Sequence, residues 1–101
     1  MPRLKIDIPQ DKIKTFCQRH HIQRLAVFGS VLRDDFDSGS DVDVLVEFAP
    51  GVRIGMIRLA ALEFELGDII GRKVDMNTPG FLSPHFRQQV ISTAEVQYEA
   101  A

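Results

Sequence analysis

A single cysteine, Cys17, is all that this 101-residue sequence contains, so the chain can close no internal disulfide. Cys17 falls at helical spacing with Ile13 and Phe16, which marks it as a buried structural thiol. Long apolar runs are missing too, and with them any candidate membrane span. The opening residues, Met1-Pro2-Arg3-Leu4-Lys5, lack the apolar stretch of a secretory signal. There is no excess of basic charge: 12 Lys and Arg stand against 14 Asp and Glu, a net charge of −2. A dedicated nucleic-acid binder usually carries a strong basic excess, so no direct nucleic-acid target is expected. Internal repeats, linkers and low-complexity segments are absent. These absences leave a soluble, cytoplasmic chain as the expectation.

What is present suits one domain spanning 1–101. Apolar residues make up 45% and charged residues 26%, close to the globular average. A chain of this length buries a core but has little surplus stability. Pro9 to about His20 reads as a helix with Ile13, Phe16, Cys17 and His20 on one face. Leu25-Ala26-Val27-Phe28 reads as a strand buried on both faces, ending at Gly29. Residues 30–34 fit a short helix with Ser30 near its N-cap, and 35–40 a loop. From Asp41 to Phe48 the pattern alternates, with Asp41, Asp43 and Leu45 on one side and Val42, Val44 and Val46 on the other. Gly55 to about Ile70 reads as a long apolar helix stopped by Gly71, its Met56–Leu66 face going to the core or to an interface. Lys73 to Asn77 is a further strand, Ser83-Pro84 opens a last helix, and Glu95 to Glu99 alternates as an edge strand. Helices and strands in alternation imply a central sheet covered by helices, the α/β (α+β) class.

Two short motifs carry the chemistry. Residues two apart on a strand project to the same side, so Asp41 and Asp43 lie next to each other. Two such charges ~4 Å apart repel by about 1 kcal/mol in water and about 4 kcal/mol at an effective dielectric of 20. A divalent cation removes that penalty, and oxygen-only ligands suit Mg²⁺ or Mn²⁺. The plain alternative is a solvated strand edge. Gly29-Ser30 follows a buried strand and opens a helix, where free backbone N–H groups, a partial positive charge and the absence of a Cβ favour a phosphate. Its plain alternative is an ordinary turn. Asp75, on the next strand, is either a third carboxylate of the same site or a turn former. Arg33 either contacts phosphate or pairs with a nearby Asp, and Ser40 caps or orients the turn before Asp41. His20, His21 and His85 form no metal spacing with an acid.

At these residues the chain resembles the DNA polymerase beta-like nucleotidyltransferase superfamily. The resemblance lies in Phe28-Gly29-Ser30-Val31-Leu32-Arg33, then Ser40-Asp41-Val42-Asp43, then Val74-Asp75-Met76. The short length and the stretch from Gly71 to Pro79 are similar to the minimal nucleotidyltransferases (MNT), and the similarity runs over about residues 20–99. It implies a small mixed β-sheet flanked by helices. It also implies an MNT antitoxin that pairs with a HEPN-domain ribonuclease toxin and transfers AMP from ATP to a tyrosine of that toxin. Asp41, Asp43 and Asp75 would then ligate metal, two Mg²⁺ ions with Mn²⁺ as the substitute. Gly29 and Ser30 would hold the triphosphate, with Arg33 and Ser40 as further nucleotide contacts. Two other readings stay open: an antitoxin that acts by binding alone, and nucleotidyl transfer to a small molecule or an RNA end.

Overall fold

The first strand runs three residues further back than its apolar run suggests. In the computed structural model, which describes residues 8–29 and 41–100, helix α1 covers Gln10–Arg19 and strand β1 covers Ile22–Phe28. The junction is tight. His20 caps the helix, and His21 takes a left-handed φ of 58° that turns the chain directly into β1. The extra residues are recruited because Ile22 and Arg24 pair with Phe48 and Glu47 at the far end of the next strand, with the register shifting across Gln23, a contact that local composition does not encode. Pro9 stands at the N-cap position rather than inside the first turn.

Strand β2 is Val42–Phe48, helix α2 is Met56–Ile70, strand β3 is Val74–Asn77, helix α3 is Pro84–Thr93 and strand β4 is Glu95–Glu99. A 3-10 turn over Pro79–Phe81 links β3 to α3. The Ser83 hydroxyl accepts from the Phe86 N–H as the α3 cap, with Pro84 at the first helical position, as its sequence predicts. Gly71 ends α2 with a φ of 80°. The expected helix at 30–34 and loop at 35–40 lie outside the described residues.

The four strands form one mixed sheet in the order β3-β2-β1-β4. β1 runs antiparallel to β2 and β4, and β2 runs parallel to β3. Period-2 alternation gives the sheet two chemically different faces. Val42, Val44 and Val46 are fully buried on one face, against Ile13, Phe16 and Cys17 of α1 and Leu59, Leu62 and Leu66 of α2. The other face carries a smaller apolar cluster of Phe28, Leu45 and Val90, which seats α3. β1 is buried on both faces from Leu25 to Phe28, as its unbroken apolar run requires.

Polar contacts tie the two helices of the larger face. Glu65 of α2 lies 3.1 Å from His20 Nε2 and accepts from Arg19 Nη1 at 3.4 Å. The His20 ring also tilts against Phe16, with ring centroids 4.9 Å apart. Among the described residues no helix is long and apolar enough to cross a membrane.

Candidate active site

The face that carries α3 also carries the acids. Register decides this. Asp43 pairs with Phe28 across β1–β2 and with Asp75 across β2–β3, so three strands place Phe28, Asp43 and Asp75 in one row. Leu45 and Asn77 form the next row beside Ala26. The Val42 N–H donates to the Lys73 carbonyl at 2.9 Å, which locks β3 alongside β2 in this register. A one-residue slip would turn Asp75 into the core and Val74 out of it, so burial of Val74 and Met76 fixes the acidic row.

β3 is an edge strand, and an unpaired edge N–H needs a partner. Glu63, on α2, supplies it: its Oε2 accepts from the Met76 N–H at 2.7 Å. Asn77 Nδ2 donates to the Asp75 carbonyl at 3.2 Å. Asp75 therefore has its own carbonyl and the following N–H anchored while the residue stays exposed.

Gly29 follows Phe28 with a φ of +74°, a left-handed conformation that glycine adopts without strain. A Cβ there would collide with Oδ2 of Asp43 and fall 3.2 Å from its Cγ. The glycine is thus required twice, by its backbone angle and by the carboxylate packed against it. The strand-end turn and the acidic strand form one piece of structure.

These residues line a cleft of about 450 Å³. Gly29, Asp43, Asp75 and Asn77 form its sheet side, and Phe86, Gln89 and Thr93 of α3 form its wall. The volume falls within the range of small-molecule sites. Asp41 lies just ahead of β2, is exposed, and does not line the cleft. Ser30, Arg33 and Ser40 lie outside the described residues. Of the site predicted from sequence, the structure brings together Gly29, Asp43 and Asp75.

Among the described residues, no three His, Cys, Asp or Glu side chains are gathered into a ready metal cage. The donor set nevertheless fits a hard cation. Mg²⁺ is ordinarily held by one or two carboxylates, with substrate phosphates and water completing its shell, and two aspartates lining one cleft match that pattern.

Sequence reasoning missed Asn77, Glu63 and the α3 wall of Phe86, Gln89 and Thr93. Asn77 was within reach of it, because strand alternation places residue 77 on the side of residue 75. Gln89 and Thr93 carried no local signal that pointed to a cleft. Glu63 acts through a contact thirteen residues away, which only the folded chain reveals.

Known proteins resemble the chain in sequence and fold. A profile of the family described as "Nucleotidyltransferase domain" matches residues 10–96. A protein of Methanocaldococcus jannaschii named "Putative protein adenylyltransferase" is 31% identical over 83 residues, covering 82% of this chain and 87% of that one. A solved structure described as a "putative minimal nucleotidyltransferase" is 34% identical, with a TM-score of 0.69 over 84% of this chain and 85% of that chain. Two toxin–antitoxin structures share the fold at 20% identity. One, with AMP-PNP, has a TM-score of 0.74 over 91% of this chain and 74% of that chain. The other, a tri-AMPylated Shewanella oneidensis HEPN toxin in complex with MNT antitoxin, has a TM-score of 0.67 over 90% of this chain and 70% of that chain.

Proposed function

Because the chain belongs to the nucleotidyltransferase domain family, among its minimal nucleotidyltransferases, we propose that it is an antitoxin that transfers AMP from ATP to a tyrosine hydroxyl of a cognate HEPN toxin and so neutralises it. One observation carries the reading: Asp43 and Asp75 stand in register across β2 and β3, with Gly29 packed against Asp43 in the same cleft. The relatives supply the acceptor class. The M. jannaschii protein is named for adenylyl transfer to protein, and the S. oneidensis toxin bound to MNT antitoxin is AMPylated.

In this mechanism the Gly29-Ser30 step holds the β- and γ-phosphates, the glycine leaving its backbone open to close approach. Asp43 and Asp75, joined by Asp41 ahead of β2, would hold the Mg²⁺ ions. When bound, Mg²⁺ neutralises phosphate charge and lowers the barrier to in-line displacement. The acceptor oxygen forms a bond to the α-phosphorus while the bond from that phosphorus to the bridging oxygen breaks, and pyrophosphate leaves. The acceptor proton passes to Asp75 or through it to water. Little covalent work falls on the protein; positioning and charge placement account for most of the rate.

The test is transfer of label from ATP labelled at its α-phosphate to the purified cognate toxin. Wild-type chain labels the toxin, and the Asp43→Asn and Asp75→Asn chains each lose the transfer by about 100-fold or more, the loss typical for removing one transition-state contact. Toxin that is neutralised without label, equally by wild type and by both variants, would assign the chain to neutralisation by binding alone.

A further inference from the structure

The α3 wall of the cleft carries side chains that the transfer chemistry leaves unused. Phe86, Gln89 and Thr93 recur at intervals of three and four residues, which puts them on one helical face beside the buried Val90. Phe86 lines the cleft while 46% exposed. The polar side chains around it differ in what they already hold. Asn77, on the sheet side, donates to the Asp75 carbonyl, and the Thr93 hydroxyl donates back to the Gln89 carbonyl at 2.9 Å. Gln89 is exposed, and among the described residues its carboxamide carries no hydrogen bond. A donor and an acceptor are therefore open to a ligand, about one helical turn from an accessible aromatic ring.

Which part of the ligand reaches them follows from the transfer reading, on which this inference rests. In-line displacement sets the acceptor and the pyrophosphate at opposite ends of a line through the α-phosphorus. Gly29 stands at one end of the acidic row and Asp75 at the other, so that line runs along the row. The nucleoside then leaves the α-phosphorus to the side of the row, where α3 walls the cleft. The chemistry of the wall suits a purine. An aromatic ring stacks on a base, and a carboxamide meets the N6–H donor and N7 acceptor of adenine as a bidentate pair. Guanine presents two acceptors, O6 and N7, on the same edge, which sets its O6 against the carboxamide oxygen.

We propose that α3 is the base-reading element of the site: Phe86 stacks on the adenine and Gln89 pairs with its N6 and N7, so that the cleft selects ATP over GTP.

Isothermal titration of the whole chain with ATP and with GTP, each with Mg²⁺, is the test, and it needs no toxin. Wild type binds ATP tighter than GTP by about 5-fold or more. Gln89→Leu abolishes the preference, and Gln89→Arg, whose two donors match guanine O6 and N7, reverses it. Phe86→Ala weakens both nucleotides by about 5-fold or more, with the preference and the far-UV circular dichroism retained. Equal binding of the two nucleotides by wild type, or a preference indifferent to both Gln89 variants, overturns the role of Gln89. A Phe86→Ala chain that binds both as tightly as wild type overturns the stacking. Either result, with ATP bound and toxin labelled by wild type, leaves the transfer reading standing. A wild type that binds neither nucleotide at millimolar concentration overturns the transfer reading and this inference with it.

Discussion

Gly29 and Asp43 constrain each other. The glycine has a left-handed φ, and the space a Cβ would need is taken by the Asp43 carboxylate. Gly29→Ala is expected to destabilise the fold by about 1–2 kcal/mol from backbone strain alone, with further loss from displacement of Asp43; a urea titration measures it. Asp43→Asn behaves differently. It removes one of two like charges that sit directly opposite in the ladder, an arrangement that disfavours the fold. Transfer should be lost while far-UV circular dichroism shows the fold retained, and a variant that loses its far-UV signal as well would show that Asp43 serves structure instead. Asp43 and Asp75 were legible because strand alternation states which side a residue takes, and the valines between them state which side is core. Burial also governs Cys17, whose thiol is pushed up from 9.0 to about 12. The folded chain then keeps this proton over a range where the unfolded chain loses it, so stability is full below about pH 9 and falls as pH rises from there towards 12. Replacing Cys17 with Ala should flatten that alkaline slope in denaturation curves collected across the range.

At the scale of elements, β3 shows how a short strand is held in place. Among the described residues its four residues pair on one side only, with β2. Glu63 closes the other side through the Met76 N–H. Glu63→Ala is expected to cost about 1.5–3 kcal/mol, the range for a hydrogen bond to a charged group. Hydrogen exchange at the Met76 amide should quicken more than exchange in β1, and equal acceleration throughout would show general destabilisation rather than a loosened edge. The edge was not legible in the sequence. Glu63 sits in an apolar helix with nothing nearby to mark it as the partner of a distant backbone group. The start of β1 was hidden for the same reason, since Ile22 joins a strand only because Phe48 pairs with it. The long apolar run of α2 was legible as a helix but not as two faces. Leu59, Leu62 and Leu66 enter the core, while Met56, Ile57 and Phe64 stay outside.

Across the whole molecule the sheet divides the labour. One face builds the core with α1 and α2, and the other holds the acidic row under α3. The division follows from alternation along β2, where each inward valine fixes an outward Asp43 or Leu45. Family membership was legible from the motifs because they are local and ordered. The α3 wall of the cleft was not, because Phe86, Gln89 and Thr93 meet the acids only through the return of the chain after β3. The central claim is that this cleft performs transfer onto a protein. Intact-mass spectrometry of the cognate toxin, incubated with this chain, ATP and Mg²⁺, tests it most directly. The account predicts toxin heavier by whole AMP units, with the increment lost when Asp43→Asn and Asp75→Asn are combined. Neutralised toxin of unchanged mass, or an increment that survives the double substitution, would contradict it.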